Sequence, residues 1–420
     1  MKTKAAAFRE SIGRRIGAQQ LLANSCTLML CLVYILPNVW AVRTMYYAVV
    51  LPLLALTVTR SELARIGRSP IFLSAAIYFL VFVIAAPFTT TVDVGAVLGH
   101  VRHAILVLSY IGLLAILGAR DPGFAVRLFV AMGLTAAAVA AANIWVFYGG
   151  LPSLDRLPQR LEGIPGQTMY YNPNWIALLY GIPCVGAAAA AMHRDTSRLL
   201  AVLLAIASLV LFAAVVLAQS RGVLIGVLAG LGVVVLLMTS ELGPVARHVV
   251  RAAAAVVVAV VAFVFLGTLL ERGDSYRLTV WRLYVPYVEA HPWAGSGLTA
   301  ILPIDDQHGF KTIHPHNIVY HSLLRGGVFA AAALAALLVQ VGVQAVLAWW
   351  RNGSPLLPAL VVASLVPFQF EFSTVGGTPV GWDWVTLWLP IGLVLGASLA
   401  TAPKALARPG GAAIEPAAGG

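Results

Sequence analysis

Apolar runs of roughly 18 or more residues recur from Leu21 almost to Lys404, separated by short polar stretches. This pattern predicts spans at 20–37, 45–58, 70–87, 101–119, 124–149, 174–192, 198–218, 222–238, 247–267, 327–349, 355–372 and 380–399. The second is short for a perpendicular crossing and fits a tilted or interfacial helix. No stretch is left over for a separate soluble domain. The expected fold class is therefore an all-α integral membrane protein of about twelve transmembrane helices.

Composition sharpens this picture. Sixty per cent of the 420 residues are hydrophobic and 10% are charged, against about 25% charged in a soluble domain. The formal net charge of +11 would suggest nucleic acid in a soluble protein, but here the basic residues sit in short loops between spans. Their partner is the membrane, not nucleic acid.

Placing the N-terminus inside puts Arg60, Arg65 and Arg68, Arg120 and Arg127, Arg194 and Arg198, Arg247 and Arg251, Arg351, and finally Lys404 and Arg408 on one side. The positive-inside rule then makes both termini cytoplasmic. Residues 1–19, with Lys2, Lys4, Arg9, Arg14 and Arg15, read as a basic cytoplasmic segment; 20–400 form the membrane domain; 401–420, rich in Pro, Gly and Ala, form a flexible cytoplasmic tail. The opposite face receives 150–173, the tight turn Gln219–Gly222 and a long loop, 268–316. Cys26, Cys31 and Cys184 all fall inside spans, so no loop disulfide is expected.

Polar residues that call for explanation gather on that face. Arg221, squeezed between two long spans, is either a residue snorkelling to headgroups or an anion contact beside the exposed amides of the next helix. In the long loop a helix is expected from Ser275 to Ala290, with Arg277, Trp281, Tyr284 and Val288 on one stripe and Arg282 about 140° from Arg277. Trp281 and Trp293 suit a membrane interface or a sugar-stacking surface.

His314 and His316 bracket Pro315, which favours an extended backbone and would point both imidazoles to one side. They read as a general base, as interfacial histidines, or as a metal site completed by His308 or His321 whose spacing fits no strong zinc pattern. Asp305–Asp306 reads as a solvated pair or a cation site, and Arg160 and Glu162 remain open between binding and solvation. Asn172–Pro173–Asn174 reads as a turn and helix cap.

The order of these motifs resembles the bacterial O-antigen ligase and O-antigen polymerase superfamily. The series is Arg160–Leu161–Glu162–Gly163, Asn172–Pro173–Asn174, Gln219–Ser220–Arg221–Gly222, Ser275–Tyr276–Arg277 with Trp281, Pro292 with Gly295 and Gly297, and His316–Asn317 followed by Gly326–Gly327. The resemblance implies a C-type glycosyltransferase-like fold with a large periplasmic loop. It implies transfer of O-antigen glycan from an undecaprenyl diphosphate carrier to a lipid A-core sugar hydroxyl at the periplasmic face of the inner membrane. The ligase is preferred over a polymerase that uses a second carrier-linked acceptor.

The chemistry suits these residues. Arginine's planar donor fork matches diphosphate oxygens, and a histidine near neutrality suits removal of a hydroxyl proton. The expected catalytic set is Arg221, Arg277 and His316, with His314 as substitute base. Arg282, Arg160, Asn172, Asn174, Asn317, Trp281 and Tyr284 are expected to bind substrate, with no metal or cofactor. The non-enzyme alternative is a transporter of polyprenyl-linked or other anionic substrates, which would show inverted repeats; no clear repeat is present.

Overall fold

The computed structural model describes residues 2–36, 39–88, 93–150, 159–163, 172–239, 243–245, 247–252, 256, 259, 277–298, 315–371 and 381–400, with side chains from Gly17 onward. Among them all regular structure is helical. In chain order the helices are α1 (Lys2–Ile35), α2 (Val39–Thr57), α3 (Arg60–Gly67), α4 (Pro70–Ala85), α5 (Val94–Arg120), α6 (Phe124–Tyr148), α7 (Pro173–Ala191), α8 (Arg198–Leu217) and α9 (Arg221–Met238). Then follow α10 (Arg277–Ala290), α11 (Ile318–Asn352), α12 (Leu356–Gln369) and α13 (Trp384–Leu399).

Eight of these are long and apolar enough to cross a membrane, or nine if α3 and α4, bent by 70°, count as one span. The chain is thus a multi-pass helical membrane protein. The predicted spans 355–372 and 380–399 appear as the shorter apolar helices α12 and α13. Most of 247–267 lies outside the described residues.

Of the boundaries that differ from the sequence reading, two are set by polar residues. α5 starts at Val94 rather than 101 because Asp93 caps it, accepting the Ala96 amide at 3.1 Å, and because buried His100 is bonded to the Phe79 carbonyl at 3.1 Å. α11 starts at Ile318 rather than 327. Gly326–Gly327, at the expected start of that span, lies inside the helix and kinks it at Gly327 (φ 62°, ψ −160°).

The groups released at the kink are taken up by the turn after α10. The Ser296 amide donates to the Leu324 carbonyl and the Val328 amide to the Pro292 carbonyl, both at 2.8 Å. The backbones touch here, since a Cβ on Gly327 would stand 2.1 Å from the Trp293 carbonyl oxygen, and one on Gly295 would stand 2.6 Å from the Gly326 nitrogen. Only glycine fits at either position.

α7 is the most enclosed span, packed by α6, α8, α9 and α12. α9 meets α12 along Gly222, Gly226 and Gly230, four residues apart on one face, which lets the helices close on Phe370, Pro367 and Ala363. The outer faces carry exposed leucine, isoleucine and valine, as lipid contact requires. At one end of the bundle Arg120 binds both Glu62 oxygens, at 2.7 and 2.8 Å, and the Thr57 carbonyl at 2.8 Å. The motif residues meet at the other end.

Candidate active site

The centre of that end is residues 369–371, the short segment that closes α12. Asn317 Nδ2 donates to the Gln369 carbonyl at 3.0 Å, and Arg277 Nε donates to the next carbonyl, Phe370, at 2.8 Å. Arg277 Nη2 donates to Glu371 Oε1, and Asn174 Nδ2 donates to Glu371 Oε2 at 2.9 Å. Asn174 Oδ1 in turn accepts from Arg160 Nη2 at 2.6 Å, while Arg160 Nε donates to the Ala218 carbonyl at 3.0 Å. The Phe370 side chain fills the space beside Gly222, so Arg221, the first residue of α9, starts next to this segment. Four motifs, widely separated in sequence, are thereby tied to three consecutive residues.

Local structure explains each placement. Asn317 caps α11, accepting the Val319 and Tyr320 amides at 2.8 and 2.9 Å. Asn172 caps α7 and Asn174 faces the cluster, so of the two asparagines the first is structural and the second carries the polar bridge. His316 precedes its cap in the left-handed region (φ 53°), and Gln219, just before Ser220–Arg221, has φ 52°. Among the described residues these are the non-glycine positions with positive φ. Backbone held in this way costs about 1–3 kcal/mol and tends to sit where function needs it.

The extended path expected through His314–Pro315–His316 is therefore not followed at His316, because reaching the Asn317 cap requires a turn there. His314, like Asp305 and Asp306, lies outside the described residues.

α10 forms as expected, with Pro286 inside it. Trp281 stacks on Tyr320 (ring centroids 5.5 Å apart, 17° between planes), and its Nε1 donates to the Pro315 carbonyl at 2.8 Å. It thus holds the turn that carries His316. Tyr284, on the same stripe as Arg277, is buried (1% exposed) among Leu324, Val280, Leu283, Tyr287 and Val288, so it braces α10 on α11 rather than facing a ligand. Arg282 is exposed on another face, and Glu162 is exposed as well.

Glu371 is the residue the sequence reading missed. It is 6% exposed and closes a predicted span as a lone acid. Burial pushes its carboxyl up from the ordinary value, while Arg277, Arg160 and the Asn174 amide pull it back. A second buried polar group, His100 and His103 with Asp383 at 4.0 Å from His103, lies deeper in the bundle and was also not anticipated.

The cluster combines arginine forks, an α9 N-terminus and an adjacent histidine. It has the means to bind an anionic phosphate and to take a proton from a hydroxyl nearby. Among known proteins, residues 206–335 match the family model described as O-antigen ligase. That stretch is similar to the O-antigen ligase family.

It runs from within α8 into α11 and contains Arg221, Arg277, Trp281, Arg282, Tyr284, His316 and Asn317. Arg160 and Glu371 lie outside it but bond to it, at Ala218 and Arg277, and Asn174, also outside, joins the two. A curated O-antigen ligase of Pseudomonas aeruginosa is 27% identical over 267 residues, covering 61% of this chain and 60% of that protein. The chain thus spans about three-fifths of the curated relative's length. The resemblance to the O-antigen ligase superfamily drawn from motif order is borne out by both comparisons.

Proposed function

We propose that the protein is a glycosyltransferase of the periplasmic face of the bacterial inner membrane, moving O-antigen glycan from undecaprenyl diphosphate to a sugar hydroxyl of lipid A-core. The observation that carries this reading is the convergence on residues 369–371. The turn of His316 and the fork of Arg277 are tied to neighbouring carbonyls, with Arg221 alongside.

In the proposed reaction His316 takes the proton of the acceptor hydroxyl as its oxygen bonds to the anomeric carbon of the donor. The bond from that carbon to the diphosphate oxygen breaks, and its electron pair leaves on the diphosphate. Arg221 and Arg277 stabilise the charge that develops there, since guanidinium stays ionised at any working pH and presents paired donors to phosphate oxygens. The donor linkage already holds the free energy for transfer, so no nucleotide is consumed. A single displacement inverts the anomeric centre.

The positive-inside pattern supports the orientation: the argininyl loops fall at the end opposite the site. The test is transfer by the purified protein from a polyprenyl diphosphate glycan with and without lipid A-core. Product on lipid A-core alone supports the ligase. Lengthening of the carrier-linked glycan without added acceptor would assign the polymerase reaction instead, and no transfer in either arm would refute glycosyl transfer.

A further inference from the structure

Arg160 and Arg277 are held by one scheme. In each, Nε donates to a backbone carbonyl, Ala218 or Phe370, and Nη2 donates to a side-chain oxygen, Asn174 Oδ1 or Glu371 Oε1. The Nε and Nη2 hydrogens form one edge of the planar guanidinium, and the chain itself takes that edge in both residues. In Arg277 the other edge, Nη1 with the second Nη2 hydrogen, has the spacing that a phosphate accepts bidentately. The two holders are joined to each other, because Asn174 Nδ2 donates to Glu371 Oε2 at 2.9 Å.

We propose that Glu371 is a positioning residue that aims the Arg277 fork at the donor's diphosphate, with Asn174 holding Glu371 from its other oxygen. The proposal rests on the glycosyl-transfer reading given above.

The position demands a carboxylate. Glu371 receives donors from two sides, and an ionised carboxylate is acceptor-only. A glutamine amide would turn one contact into N–H against N–H. Asn174 cannot flip to relieve this, since its Oδ1 is already taken by Arg160. An aspartate is one methylene too short to reach both donors. A negative charge beside a diphosphate site also opposes anion binding, so its value there lies in geometry. If Glu371 acted only through its charge, its removal would strengthen donor binding and leave the bound-state rate alone.

The experiment compares Glu371→Gln, Glu371→Asp and Asn174→Ala with wild type, using a polyprenyl diphosphate-linked glycan as probe and reading donor affinity and single-turnover transfer separately. Glu371→Gln is expected to lower the bound-state rate by about 10- to 100-fold, the scale of a misplacement of about 1 Å, with affinity within about threefold of wild type. In an Arg277→Ala background the same change should cost less than about threefold more, since a residue acting through Arg277 has nothing left to position. Asn174→Ala removes the second donor to Glu371 while leaving the Arg277–Glu371 pair, and should cost less than about threefold more in an Arg277→Ala background, which keeps the test decisive should the Glu371 variants fail to fold. Tighter donor binding at an unchanged rate, or full additivity in either cycle, overturns the positioning role alone. A wild-type protein that neither binds nor uses the donor overturns the glycosyl-transfer reading and the proposal with it.

Discussion

Asn317 offers a clean separation of two contributions to the site. Its Oδ1 accepts two amides of α11, at 2.8 and 2.9 Å, and its Nδ2 tethers the helix start to the Gln369 carbonyl at 3.0 Å. Asn317→Asp keeps the cap, because aspartate serves that role as well as asparagine, but sets a second oxygen against the Gln369 carbonyl. The tether is lost, worth about 1 kcal/mol, and the half-buried Gln369 carbonyl loses its side-chain donor. Asn317→Ala loses the cap too, adding about 1 kcal/mol.

Because His316 is the preceding residue and Arg277 is bound to the carbonyl after Gln369, slack in the tether loosens the register of His316 and Arg277. Single-turnover transfer should fall about 10- to 100-fold in the aspartate variant, with donor affinity near wild type and the melting temperature in detergent lowered less than in the alanine variant. An aspartate variant with the wild-type rate, beside a slow alanine variant, would refute the tether argument and leave only the helix cap.

Further outcomes follow from the same geometry. Arg221→Ala and Arg277→Ala should each lower transfer by about 100-fold or more, the scale of a lost transition-state charge contact, and lysine at either position should recover only part, as measured by kcat/KM. His316→Ala and His316→Gly should both lose about 100- to 10,000-fold in turnover with donor binding intact. The glycine variant should be the more stable by about 1 kcal/mol in thermal melts, because it relieves the left-handed backbone. In a cysteine-free background, Gly150→Cys, Ser275→Cys and Asp306→Cys should react with impermeant maleimide in spheroplasts, and Gly67→Cys, Asp195→Cys and Ser354→Cys should not; the reverse would invert the proposed orientation. A carboxyl whose folded pKa is raised binds its proton more tightly in the folded state. Glu371 should therefore make wild type lose stability relative to Glu371→Gln as pH rises from about 4.3 through that raised value, which melts across the acid range would check.

Much of the bundle was legible because apolar length is a strong signal and Arg221, between two long apolar spans, is hard to place otherwise. Arg160, Asn174, Arg277 and Asn317 were legible as motif residues, but their common attachment was not. It runs through Glu371 and two backbone carbonyls, and a lone acid closing an apolar stretch carries no spacing pattern. Charge balance did not point to it either, since Glu162, Asp305 and Asp306 already offered acids to the arginines of that face. His316 misled in conformation because the effect of Pro315 was carried one residue too far, past the point where the Asn317 cap needs a turn. Tyr284 misled because helical periodicity puts it on the stripe of Arg277 without showing that Leu324 closes over it.

The splice between the turn after α10 and the kink of α11 has a mechanical consequence. With the Pro292 and Leu324 carbonyls bonded across the crossing and glycine required at 295 and 327, α10 cannot swing without dragging the first turns of α11 along. Arginine 277 and histidine 316 therefore travel as one rigid arm. Under the proposed glycosyl transfer, an opening that admits the donor would fall between this arm and the α7–α9 side and would cost the Asn174–Glu371 bond.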